Sequence, residues 1–171
     1  MAGPLINRVA QSGIITLNLE TYFPDRKIMV LDLKDHLFME MILKEKDFRQ
    51  TMKVHNWPDY EDAVLLIYCS TDAIIPVWAY MLVSSLAQPY AHEVYVGDKE
   101  AYLTHYYQNL IASLDVDEYT DKRIVIKGCS DKPVPAGAYQ ALTNRLKPHA
   151  LSIMYGEPCS TVPIYKKPKK V

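Results

Sequence analysis

Apolar positions in the first third of the chain alternate, then take up a helical spacing. Residues 14 to 19, Ile-Ile-Thr-Leu-Asn-Leu, and 27 to 33, Lys-Ile-Met-Val-Leu-Asp-Leu, read as β-strands, with Tyr22, Pro24 and Asp25 supplying turn chemistry between them. The pair predicts a hairpin. From Leu37 to Val54 apolar residues fall at 37, 38, 41, 42, 48 and 52 among charges, which predicts one long or two short amphipathic helices, ended by Asn56 and Pro58.

A continuous apolar run, Ala63 to Tyr68, and a β-branched run, Arg123 to Lys127, follow, each of the kind that suits a strand buried on both faces. Each run leads into Cys-Ser (Cys69-Ser70 and Cys129-Ser130), a short polar stretch, and a helix carrying Pro-x-x-Ala-Tyr. The helices stop near Pro89 and Pro148. A short strand comes next, Glu93 to Val96 or Leu151 to Tyr155, closed by Gly97-Asp98 or Gly156-Glu157.

These correspondences are one internal repeat. Tyr60, Cys69, Ser70, Pro76, Ala79, Tyr80, Pro89, Ala91 and Gly97 recur as Tyr119, Cys129, Ser130, Pro135, Ala138, Tyr139, Pro148, Ala150 and Gly156, at an offset of 59 from Pro76 to Gly97 and 60 at the cysteine. Two copies are too few for a solenoid, so the repeat reads as a duplicated β-α-β unit. The expected fold class is α/β: a small mostly parallel sheet of four strands built from that duplicated unit, with an N-terminal β-hairpin and helix at one edge. The expected organisation is a single domain, 1–171, with an N-terminal elaboration at 1–56, a first repeat at 57–98, a linking helix at 99–115, a second repeat at 116–165 and a basic tail at 166–171.

Composition adds bounds. A chain of 171 residues with 49% hydrophobic content can bury a sizeable core. Three cysteines, an odd number, without an apolar leader after Met1 suit a reducing compartment, so the expected location is cytoplasmic. No apolar run approaches the roughly 20 residues that span a bilayer. The net charge is -1, and Lys166, Lys167, Lys169 and Lys170 concentrate positive charge at the end without an aromatic platform. Nucleic acid is therefore not an expected partner.

The candidate chemistry lies in the cysteines. Cys69 and Cys129 follow predicted strands, and Cys159 follows the last one by way of Gly156, which would set all three at the carboxyl edge of the sheet, where open α/β folds bind ligands. Thiolates suit zinc, copper(I) and iron–sulfur clusters, and Asp72, Asp131 and Glu157 are candidate further ligands. The spacing matches no ferredoxin or C-x-x-C pattern. A second reading is a cysteine-nucleophile small-molecule or thiol-transfer enzyme, in which Cys69 or Cys129 stands at a helix start and the dipole lowers its pKa. A third is a non-catalytic homodimer or adapter that uses the hairpin and Leu37 to Val54, with the thiols as small buried hydrophobes. His36, His55, His92, His105 and His149 form no metal-binding spacing, and Asp115, Asp117, Glu118 and Asp121 resemble a calcium loop in charge alone.

Five segments carry a family resemblance: Asn7-Arg8-Val9-Ala10-Gln11-Ser12-Gly13, Leu43-Lys44-Glu45-Lys46-Asp47-Phe48-Arg49, Cys69-Ser70-Thr71-Asp72-Ala73-Ile74-Ile75-Pro76-Val77-Trp78-Ala79-Tyr80, Lys127-Gly128-Cys129-Ser130-Asp131-Lys132-Pro133-Val134-Pro135 and Met154-Tyr155-Gly156-Glu157-Pro158-Cys159-Ser160-Thr161-Val162-Pro163. Over nearly its whole length the chain resembles the uncharacterised bacterial family called domain of unknown function twenty-four eighty. Genes of that family often lie near those of sulfur-mobilisation iron–sulfur cluster assembly. The resemblance thus implies a metal or iron–sulfur cluster held by Cys69, Cys129 and Cys159, with cluster-assembly proteins as partners.

Overall fold

The computed structural model describes residues 13–127, 131–157 and 160–168. Strands and helices alternate in an α/β fold, with the strands in two small, mostly parallel sheets. The strands are β1 (Ile14–Leu17), β2 (Ile28–Asp32), β3 (Val64–Tyr68), β4 (Glu93–Val96), β5 (Arg123–Ile126), β6 (Ser152–Glu157) and β7 (Ser160–Lys166). The helices are α1 (Glu45–Val54), α2 (Val77–Ala87), α3 (Lys99–Ala112) and α4 (Ala136–Leu146). Among the described residues no helix is long and apolar enough to cross a membrane.

The chain divides into two compact units. Pro24–Tyr102 form an inserted unit, and the segments on either side of it form an outer unit. In the inserted unit the sheet order is β2-β3-β4, all parallel. Its central strand is the apolar run, and Leu65 and Ile67 project from it into a core with Leu31, Leu33, Phe48, Met52, Val83 and Ala87. In the outer unit the order is β1-β5-β6-β7, parallel except for the final β6–β7 pair. Ile124, Ile126 and Ile153 meet Leu17, Tyr107, Ile111, Leu142 and Leu146 there. A fully buried aliphatic side chain contributes about 1.5–3 kcal/mol, so each central strand anchors its own core.

The repeat reaches further than the sequence motifs. At the same offset of 59, Phe48 and Met52 of α1 correspond to Tyr107 and Ile111 of α3, all buried. Asp62 and Asp121 share a positive φ (57° and 55°), and their amides donate to the carbonyls of Tyr90 and His149 at 3.2 and 2.9 Å. Upstream, Leu17-Asn18-Leu19 corresponds to Leu31-Asp32-Leu33. The Asn18 and Asp32 side chains each cap a following 3-10 turn by accepting from the amides of Glu20 and Lys34, both at 3.1 Å. Each unit is thus strand, turn, helix, turn, strand, helix, strand, and the inserted copy enters the outer one after its first turn and ends within the first turn of its first helix, α3. α3, expected as a linker, occupies the place of α1.

Three expectations change. β1 and β2 form no hairpin: β1 pairs with β5 (Ile15 with Ile124, Leu17 with Ile126), and β2 pairs with β3 (Met29 with Leu65, Leu31 with Ile67). A tight hairpin needs a loop of two to about five residues, whereas ten residues separate β1 from β2, among them a 3-10 turn that buries Leu19. The single expected sheet is accordingly two. The helical pattern from Leu37 yields only α1, because Phe38 to Ile42 reverse direction, the Met41 amide donating to the Phe38 carbonyl at 3.2 Å and Met39 and Glu40 taking positive φ. An antiparallel pair does form at the other end, between β6 and β7, where Gly156 at φ 120° lies opposite Thr161 and an added Cβ would meet the Ser160 carbonyl oxygen at 2.7 Å.

Candidate functional site

Cys69 leaves the carboxyl end of β3 half-buried and packs against the core of the inserted unit. Its Sγ lies 3.2 Å from the Thr71 hydroxyl. Asp32, at the carboxyl end of the neighbouring β2, holds the same loop by accepting from the Ser70 amide at 3.0 Å. Burial pushes the Asp32 carboxyl up, but hydrogen bonds from Ser70 and Lys34 outweigh it and leave the group below the usual carboxylate range. Across the loop, burial first and then the proximity of Cys69 raise the phenol of Tyr80 on α2.

Cys69 does not stand at a helix start. Seven residues separate it from Val77, the first residue of α2, whose N-cap is Pro76 in an extended conformation without a side-chain cap. Proline disfavours helical geometry in the residue before it, so Ser70, Thr71 and Asp72 become loop rather than cap. The first turn of a dipole falls off over that distance, which removes this route to an activated thiolate. α4 likewise begins at Ala136 behind Pro135. Asp72 is exposed and borders a groove of about 400 Å³ between Met41–Leu43 and Asp72–Pro76.

Cys129 and Cys159 lie outside the described residues, with Gly128, Ser130 and Pro158. The described strands on which they follow are neighbours: β5 and β6 run parallel, with Ile126 opposite Tyr155. At the ends of these strands Lys127 and Glu157 form an ion pair at 3.3 Å, and each cysteine comes two residues after one member of that pair. Glu157, a candidate metal ligand, is thereby engaged by Lys127. Asp131, another, is exposed. The segment behind it is tied down by Lys132, whose ammonium reaches the Glu20 carbonyl at 3.5 Å and stands 5.4 Å from the centre of the Phe23 ring.

The strand ends that lead to Cys69 and to the other two cysteines therefore belong to different sheets. Among the described residues no three His, Cys, Asp or Glu side chains gather as a metal site. The acidic stretch near Asp117 is a turn: Asp115 caps the Asp117 amide at 3.0 Å, and Asp121 pairs with Lys167 at 2.7 Å. The site residues that sequence reasoning missed are Asp32 and Lys127. The recurrence of Leu-Asp/Asn-Leu, at Leu31 and Leu17, was the available signal for the first; nothing local marks the second.

A family model described as "Protein of unknown function (DUF2480)" matches residues 3–167. No curated protein and no solved structure matches the chain.

Proposed function

Since the chain belongs to the DUF2480 family, whose function is unknown, we propose from its chemistry that it is a cytoplasmic accessory protein that binds a soft metal ion or an iron–sulfur cluster through Cys129 and Cys159. The observation that carries this reading is the Lys127–Glu157 ion pair at 3.3 Å, which joins the two strand ends immediately ahead of those cysteines. Two residues of extended chain reach about 7 Å, and adjacent strands lie about 4.8 Å apart, so both thiolates can meet one metal. Thiolates select zinc, copper(I) and iron–sulfur clusters over hard cations. Asp131, two residues beyond Cys129, is a carboxylate close enough in sequence to complete the set, Glu157 being paired with Lys127, and the ammonium of Lys127 offsets the negative charge of a thiolate site. Cys69 enters as the repeat counterpart of Cys129. Proteins that assemble clusters are the partners this reading calls for.

A second reading is favoured at Cys69, whose half-buried sulfur lies 3.2 Å from the Thr71 hydroxyl in the loop after β3, a position from which it can act as a nucleophile. One experiment separates the two. Protein purified without oxygen is assayed for iron, sulfide and zinc per chain, beside Cys129→Ser, Cys159→Ser and Cys69→Ser variants. Metal lost in the first two variants and kept in the third supports the pair. Metal-free wild-type protein, unchanged after reconstitution, overturns the metal reading; rapid alkylation confined to Cys69 in such protein then supports thiol chemistry.

A further inference from the structure

The inserted unit exposes an apolar face that its own core does not use. Phe38, Met39, Met41 and Ile42 project from the reversal ahead of α1, and Ile74, Val77 and Met81 project from the loop after Cys69 and the first turns of α2. Ile74 is 92% exposed and Met39 75%. Met41 and Ile42 of the first set and Ile74 of the second line one groove with Leu43, Asp72, Ala73 and Pro76, which joins the two sets into one surface. At their observed exposures these seven side chains offer roughly 800 Å², more than the ~300–600 Å² patch that a monomer ordinarily leaves uncovered and about the share each partner gives to a standard interface.

We infer that this face is a self-association surface, with a second copy of the chain as its occupant. The patch carries both a projection and a recess: Ile74, the most exposed of the seven, stands at the edge of a groove of about 400 Å³. A surface holding both halves of a knob-and-hole contact is self-complementary, as a twofold interface requires. Charges next to these residues in sequence or in the groove include Glu40, Lys44 and Asp72, and the Lys44 ammonium lies 3.2 Å from the centre of the Phe38 ring. So nearly balanced a border gives no field to select a strongly charged partner. Met39 and Glu40 hold positive φ without being glycine (50° and 57°), a conformation that costs about 1 kcal/mol or more per residue. That strain is retained in the turn that presents Met39 and Met41. The unbranched methionines can adapt to a facing copy.

Sedimentation velocity between about 1 and 100 μM, at and above the weakest affinity ordinary for an interface of this size, tests the inference. The wild-type chain, Ile74→Glu, Met39→Glu and Val162→Glu, an exposed position on β7 of the outer unit, are compared, with circular dichroism to verify folding. The expected result is a wild-type dimer retained by Val162→Glu and weakened roughly a hundredfold or more in each of the first two variants, because a twofold contact buries the new carboxylate twice. A wild-type monomer at the highest concentration overturns the inference, as does a dimer that survives both Ile74→Glu and Met39→Glu. Since the two substituted residues are mostly exposed in the single chain, misfolding of one variant leaves the other to decide.

Discussion

Replacing Asp32 by alanine removes the group that holds the Cys69 loop to the next strand. Its carboxylate accepts from the Ser70 amide at 3.0 Å and the Lys34 amide at 3.1 Å. A charge-assisted bond contributes about 1.5–3 kcal/mol when its donor is desolvated, but Ser70 and Lys34 are exposed and water replaces much of the loss, so the expected destabilisation is about 1–2 kcal/mol. Asp32→Asn keeps an acceptor oxygen without the charge and should lose about half as much. Urea unfolding of wild type and both variants measures this. Because the folded Asp32 pKa lies below its ordinary 3.8, its contribution is fully present above pH 3.8 and is lost as pH falls through the folded value, so the wild-type advantage over Asp32→Asn should shrink only in that acid range. Loosening the loop should also raise the alkylation rate of Cys69 several-fold, read by peptide mass spectrometry. Unchanged stability in Asp32→Ala, or equal losses in Asp32→Ala and Asp32→Asn, would refute the assigned role of the carboxylate.

Gly156→Ala places a Cβ at 2.7 Å from the Ser160 carbonyl oxygen on a backbone at φ 120°, and should cost about 2 kcal/mol or more, read as a lowered thermal midpoint; a neutral effect would contradict this close approach of β7 to Gly156. His36 and His55 are held below the usual 6.5, chiefly by burial, with the mutual effect of His55 adding at His36 and nearby Asp35, Asp32 and Asp59 opposing it. The fold thus favours the neutral rings: their contribution is complete above pH 6.5 and is lost as pH falls through the folded values, so a His36→Phe, His55→Gln double variant should show a flatter loss of stability below pH 6.5 in chemical unfolding, and an unaltered slope would count against it.

Local pattern carried much of this architecture. The runs Val64–Ile67 and Ile124–Ile126 are apolar at successive positions, which only a strand covered on both faces tolerates, and both became central parallel strands. The 59-residue recurrence marked the β-α-β unit because equivalent side chains such as Ala79 and Ala138 fill equivalent core places. It missed α3 as the counterpart of α1, since Phe48 and Tyr107 share burial rather than identity. The Leu37 pattern misled because Phe38, Met41 and Ile42 are apolar yet exposed, and hydrophobic spacing predicts a helix only where the apolar positions are buried.

What the sequence determined by itself was most of the strand and helix segments, β7 and the Phe38–Ile42 reversal excepted, and that one unit occurs twice: propensity and periodicity act over a few residues, and duplication leaves its own residues behind. Only the tertiary structure decided that β1 and β2 part company, each completing a different sheet, and that Lys127 meets Glu157 across two strand ends. An apolar strand can pair with any strand of matching pattern, and the choice is made by burying Leu17 with Ile124 and Leu31 with Ile67 in two separate cores, contacts that close loops of many tens of residues for one and several tens for the other. No local spacing records that choice.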